Sequence, residues 1–132
     1  MVDSTEVKEQ LNKSFVQVQD TLFRDSKINL RFSGSTCVSV LIVGTKVFCA
    51  NVGDSRAVLV RTVDDRVTAI PLNRDHKADY PDEEARIVRN GGRVQPYRDM
   101  HGNPLGPLRV WHLKEDIPGL AMTRSFGDQA AA

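Results

Sequence analysis

The stretch Cys37-Val38-Ser39-Val40-Leu41-Ile42-Val43-Gly44-Thr45-Lys46-Val47-Phe48-Cys49-Ala50-Asn51-Val52-Gly53-Asp54-Ser55-Arg56, entered through Ser33-Gly34-Ser35-Thr36, decides the fold of this chain. Two runs rich in Val, Ile and Phe flank Gly44-Thr45, and a third begins after Gly53-Asp54-Ser55, so the segment reads as three consecutive antiparallel strands. With Gly44 and Thr45 as loop residues, Val43 faces Lys46, Leu41 faces Phe48 and Ser39 faces Ala50 on one side. Ile42 then faces Val47 and Val40 faces Cys49 on the other. Both faces are largely apolar, so the hairpin is expected at the centre of a layered domain, covered on both sides. Asp54 falls in the tight turn after the second strand. A carboxylate held there by a sheet edge can ligate a metal ion; alternatively it only closes the turn through its own backbone.

The 132 residues are 40% hydrophobic and 27% charged with net charge +1, the composition of one ordinary soluble domain. No basic block makes an electrostatic case for nucleic acid or a membrane surface. No apolar run approaches the ~20 residues that span a bilayer, and the N-terminus lacks a signal-peptide pattern. The expectation is an intracellular protein, cytoplasmic or nuclear, with no nucleic-acid or membrane partner. Cys37 and Cys49 fall on opposite faces of the hairpin, which predicts free thiols used for packing and no disulfide or zinc site.

From Asp3 to about Phe23, Val7, Leu11, Phe15, Val18 and Leu22 recur at helical spacing, with Asp3 and Glu6 placed as a capping box. Gln19 falls among the polar residues of the opposite face. After Asp54 the runs Ala57–Arg61 and Val67–Ile70, joined around Asp64-Asp65, read as another hairpin. Asn73–Asp79 is a polar loop, in which His76 is either a ligand or proton-transfer group or a surface hydrogen-bonding residue. Pro81, the acidic Asp82-Glu83-Glu84 and the stop at Gly91-Gly92 bracket a second helix, with Ile87 and Val88 facing inward. Arg93–Asp116 carries Pro96, Gly102, Pro104, Gly106 and Pro107 and reads as a loop-rich excursion.

In this order, Gly34-Ser35-Thr36, Ala50–Leu59, Asp75-His76-Lys77, Glu84-Ala85-Arg86-Ile87 with Gly91-Gly92-Arg93-Val94, and Leu120–Asp128 resemble the middle of a type 2C protein phosphatase, the metal-dependent serine/threonine phosphatase family. The resemblance spans nearly the whole chain. It implies an α+β fold, an antiparallel β-sandwich flanked by helices, of which residues 1–132 are an incomplete central portion with 93–116 as a flap. It also implies hydrolysis of phosphoserine and phosphothreonine esters by a water activated by two Mg²⁺ or Mn²⁺ ions.

By the same resemblance Asp54 is the aspartate of an additional, more weakly held metal, and Arg56 and Asp128 are supporting residues. His76, Arg109 and Trp111 belong with the flap and substrate. The family's Asp-Gly-His-Gly-Gly motif would precede the first helix, and its later Asp-Gly and Asp-Asn motifs would follow Asp128; none occurs in these 132 residues. Asp99-Met100-His101-Gly102 has Met in place of the first motif's Gly and lies in the flap, so it is not read as the metal site. These residues alone are therefore expected to be inactive, with a phosphoprotein as the substrate of the parent domain. The alternative is a non-catalytic, phosphatase-like regulatory or scaffolding module. A nucleotide-binding role is weak without a phosphate loop. Open sheet edges predict dimerisation.

Overall fold

The computed structural model describes residues 3–131; the ends of the expected 1–132 unit lie outside the described residues. Helix α1 spans Ser4–Arg24. Its N-cap is Asp3, whose Oδ1 accepts a hydrogen bond from the Thr5 amide at 2.8 Å, and Glu6 and Arg24 complement the helix dipole at its two ends. The inward stripe is Val7, Leu11, Phe15, Gln19 and Leu22. Val18, expected on that stripe, is exposed, and Gln19, expected on the wet face, turns in because its Oε1 accepts from the Gly127 amide at 3.0 Å.

Strand β1 (Gly34–Ser35) leads into β2 (Cys37–Val43), which pairs with β3 (Lys46–Val52). Their register runs from Val43↔Lys46 to Cys37↔Val52, as the sequence predicts. Cys37 and Cys49 are free and half-buried. One face holds Phe48, buried, on the strand that α1 packs against. The other face is bare, with Val40 47%, Ile42 68% and Val47 43% exposed. The expectation of cover on both sides therefore holds for one side only, because no described element lies over the second.

Strands β4 (Val58–Val63) and β5 (Arg66–Pro71) form their own two-stranded ribbon. The expected three-stranded run does not form: β4 pairs with β5 and not with β3. The cause is local. After Val52 the backbone leaves the ladder at Gly53, whose φ of +97° is in the left-handed region. It is then bound to the 73–76 loop, where Asn73 Oδ1 accepts from the Ala57 amide at 2.8 Å.

Helix α2 (Pro81–Arg89) has proline at its start and three acidic residues in the first turn. Ile87 is buried as expected, but Val88 is 57% exposed; Glu83, one turn before Ile87, takes the inward stripe instead. Strands β6 (Gly92–Arg98), β7 (Pro104–His112) and β8 (Pro118–Leu120) follow as a three-stranded antiparallel sheet. The expected loop-rich excursion is thus mostly regular. Its Pro and Gly residues misled because the register jumps from Pro96↔Leu108 to Tyr97↔Leu105, which puts Gly106 and Pro107 in a bulge where no ladder amide is required. Strand β9 (Phe126–Gly127) closes back on β1, and Phe126 stacks on Phe15 of α1 with ring centroids 5.4 Å apart. The core is small: Leu30, Phe48, Ala78, Ile87, Val110 and Trp111.

Candidate functional site

The turn after β3 is held from three directions by the loop between β5 and α2. Gly53 and His76 exchange two hydrogen bonds: the Gly53 amide donates to His76 Nδ1 at 3.1 Å, and the His76 amide donates to the Gly53 carbonyl at 3.0 Å. Asn51 Nδ2 donates to the Gly53 carbonyl at 3.0 Å and to the Arg74 carbonyl at 3.3 Å. Asn73 brackets the far side, accepting from the Ala57 amide and donating to the Ser55 carbonyl at 2.9 Å. The Ser55 hydroxyl meets the Thr36 hydroxyl at 2.7 Å. Glycine is required at position 53, since a Cβ there would lie 2.3 Å from Thr36 Cγ2.

Arg56 completes the frame as a fork on Asp75, with Nε to Oδ1 at 2.9 Å and Nη2 to Oδ2 at 2.7 Å. Asp75 is buried. The Arg56 guanidinium holds its carboxyl below the usual carboxylate range, against the opposing effect of burial, and Lys77 adds to the same side. Residues 51, 53, 55, 56 and 57 are all bonded to the 73–76 loop or to β1's exit. Asp54, half-buried in their midst, makes no side-chain hydrogen bond or ion pair among the described residues. A braced backbone carrying an unengaged carboxylate is the arrangement a ligand-binding acid needs.

A second node lies behind the first. The His76 carbonyl accepts from the Thr123 amide at 2.9 Å, and Thr123 Oγ1 donates to Glu83 Oε2 at 2.5 Å. Glu83 is 1% exposed and also accepts from Arg86 Nη2 at 3.0 Å and from Arg124 through Nε and Nη2. Burial alone would raise its pKa, but the bonds from Arg124, Thr123 and Arg86 outweigh that and bring it down to about 2. Burial pushes the His76 imidazole below its ordinary value of 6.5, and the charge on Arg124 pushes the same way.

The other expected site residues lie elsewhere. Asp128 is buried at the β1–β9 junction with Oδ2 unpartnered among the described residues, so close over Gly34 that a Cβ on that glycine would be 2.0 Å from the oxygen. It borders a cavity of about 420 Å³ with Arg86, Trp111, Thr123 and Arg124. Arg109 Nη1 donates to the Gly119 carbonyl at 2.7 Å, and Trp111 Nε1 to the Gln95 carbonyl at 2.9 Å under the Arg93 guanidinium, so both side chains tie the β6–β7–β8 sheet together. His76 and Arg124 border a groove of about 730 Å³ between α1 and β3, floored by Phe15, Phe48 and Phe126. Asp99 Oδ1 accepts from the His101 and Asn103 amides at 2.8 Å each, so that segment is the hairpin turn between β6 and β7.

The structure thus joins Asp54, Arg56 and His76 in one frame. Asn73, Asp75 and Glu83 were missed in the sequence. For Glu83 a signal existed: its four-residue spacing from Ile87 puts it on the buried stripe. Among the described residues no three His, Cys, Asp or Glu side chains group to hold a metal ion. The residues present therefore do not by themselves fit the metal pair that the resemblance implies.

The family model described as Protein phosphatase 2C matches residues 2–131. A protein of Oryza sativa subsp. japonica described as "Probable protein phosphatase 2C 12" is 41% identical over 116 residues, covering 87% of this chain and 29% of that protein. "Probable protein phosphatase 2C 6" of Arabidopsis thaliana is 42% identical over 123 residues, covering 92% and 24%. The crystal structure of serine-threonine phosphatase 2C from Toxoplasma gondii superposes with a TM-score of 0.70 at 24% identity, covering 97% of this chain and 45% of that one, and shares its α+β fold. The chain spans less than a third of the length of these plant relatives. It belongs to the protein phosphatase 2C family.

Proposed function

We propose that this chain is part of a protein serine/threonine phosphatase that hydrolyses phosphoserine and phosphothreonine esters, and that Asp54 is its one site carboxylate among the residues described. The observation that carries the assignment is the unengaged carboxylate of Asp54 in a turn whose neighbours are all tethered. Arg56 braces that turn through Asp75, and Asp128 supports the β1–β9 junction. Residues 93–116 serve as the flap, with Arg109 and Trp111 shaping substrate access from within its sheet and His76 from the groove beside α1.

Mg²⁺ or Mn²⁺ is the cofactor in this reading, and a phosphoprotein the substrate. A second copy of the chain is a further partner, through the bare sheet faces and edges. An intracellular site of action, cytoplasmic or nuclear, belongs to the proposal; among the described residues no helix is long and apolar enough to cross a membrane.

The test is Mn²⁺-dependent phosphate release from a phosphothreonine peptide by the intact protein. Release is expected, with a loss of roughly 10- to 100-fold in Asp54→Ala, and none from the 132 residues alone. No release from the intact protein would favour a regulatory or scaffolding module. Full activity in Asp54→Ala would remove Asp54 from the site and leave the phosphatase standing.

A further inference from the structure

The imidazole of His76 is used in an uncommon way. Its Nδ1 accepts a hydrogen bond from a backbone amide, Gly53, at 3.1 Å, while its own amide bonds the Gly53 carbonyl at 3.0 Å. A ring nitrogen that accepts carries no proton, so the neutral ring carries its hydrogen on Nε2. The Gly53 amide belongs to the Val52–Gly53 peptide, and the next peptide, Gly53–Asp54, is held through its carbonyl by the His76 amide, so one residue grips both peptides that lead into the acid at position 54, in a turn whose φ at Gly53 is +97°. The loop arm that presents His76 is fixed at its other side by Thr123, and through Thr123 Oγ1 by buried Glu83.

We infer that His76 is a positioning residue: its Nδ1 lone pair fixes the Gly53 amide and thereby aims the Asp54 carboxylate. The inference rests on the reading of Asp54 as a site residue. It assigns the imidazole a second job, separate from proton transfer and from the place of His76 beside the substrate groove proposed above. Only a side chain with an acceptor bonded to Cγ can perform it. Asparagine has such an acceptor in Oδ1. Glutamine places its oxygen one bond farther out, and alanine has none.

Two measurements on the intact protein test this. With ¹⁵N-labelled histidine and glycine, a scalar coupling across the N–H···N bond between Gly53 and His76 Nδ1 is expected, with the ring in the Nε2–H form; a proton on Nδ1 overturns the inference without any variant. In the phosphatase assay, His76→Ala and His76→Gln are expected to lower kcat by about 10- to 100-fold at little-changed KM, the scale that follows misplacement of a catalytic group by about 1 Å. His76→Asn is expected to stay within about threefold of the parent. If kcat per folded molecule is unchanged in His76→Ala while Asp54→Ala is impaired, His76 does not position Asp54. If Asp54→Ala is itself fully active, it is the Asp54 reading that fails.

Discussion

At the scale of single residues, buried acid chemistry decides more than exposed charge. Glu83 sits among Arg86, Thr123 and Arg124, and its pKa is brought from an ordinary 4.5 to about 2. A carboxyl held lower in the folded than in the unfolded chain contributes stability that is fully present above the unfolded value and is lost as pH falls through the folded one. Glu83 therefore stabilises the fold above pH 4.5 and loses that contribution progressively toward pH 2. A shift of this size corresponds to roughly 3 kcal/mol. In Glu83→Gln, urea unfolding at neutral pH should show a loss of about 3 kcal/mol, since its arginines keep their charge without a counter-ion. The gap between parent and variant should close as pH is lowered from 4.5 to 2; a gap constant over that window would show that the carboxylate's charge is not what matters. The residue string signals the burial of Glu83 only through its four-residue spacing from Ile87 and says nothing of its partners, since Asp82-Glu83-Glu84 reads there as a uniform complement to a helix dipole. The difference between the three acids is made by Thr123 and Arg124, about forty positions away. Asp54 stands out as a candidate because its signal is local: a glycine that must turn, then an acid, at the end of an apolar run.

Elements were legible where pattern and turn chemistry agree. The β2–β3 register follows from placing two loop residues, and α2 from its proline, acids and terminal glycines. The β6–β7 pair was not legible, because a bulge absorbs the prolines and glycine that ordinarily forbid a strand. The inward stripe of α1 was missed at two adjacent positions, Val18 and Gln19, for a related reason, the Gln19 bond to the Gly127 amide being a tertiary fact. The β4–β5 ribbon offers a test of turn chemistry. Asp64 and Asp65 both sit in the left-handed region, with φ of 47° and 60°, the conformation of a tight hairpin turn that an Asn-Gly pair fits with less strain. Each L residue so placed carries a steric penalty, partly relieved for aspartate by its short polar side chain. The double substitution Asp64→Asn with Asp65→Gly is expected to raise stability by about 1 kcal/mol and the Tm by a few degrees in calorimetry. A lowered Tm would mean that the aspartates make a contribution the backbone does not record.

Across the whole molecule, the tethered turn at Asp54 and the Glu83 node join β3, the 73–76 loop, α2 and the Thr123–Arg124 segment into one frame, while the sheets around it remain small and open. The β2–β3 hairpin presents Val40, Ile42 and Val47 on one bare face, and the β4–β5 ribbon exposes Val58, Val60 and Val67 on another. Both sheets consist of two strands, so each also has unpaired edges among the described residues. Contiguous apolar area next to open backbone donors and acceptors favours association with another strand or face, and a second copy of the chain is always present in its own solution. We expect the 132-residue chain to self-associate, with a light-scattering mass that rises with concentration. Ile42 is 68% exposed, so a charge there costs little in the monomer and much in an apolar interface. Ile42→Lys should therefore weaken association by at least about tenfold, equivalent to about 1.4 kcal/mol, with helix and strand content by circular dichroism unchanged. Asp64→Lys, in the β4–β5 turn and outside either bare face, should leave association as it was. A constant monomeric mass for the parent across a wide concentration range would overturn the prediction. Association that survives Ile42→Lys intact would move the interface from the β2–β3 face to the β4–β5 ribbon.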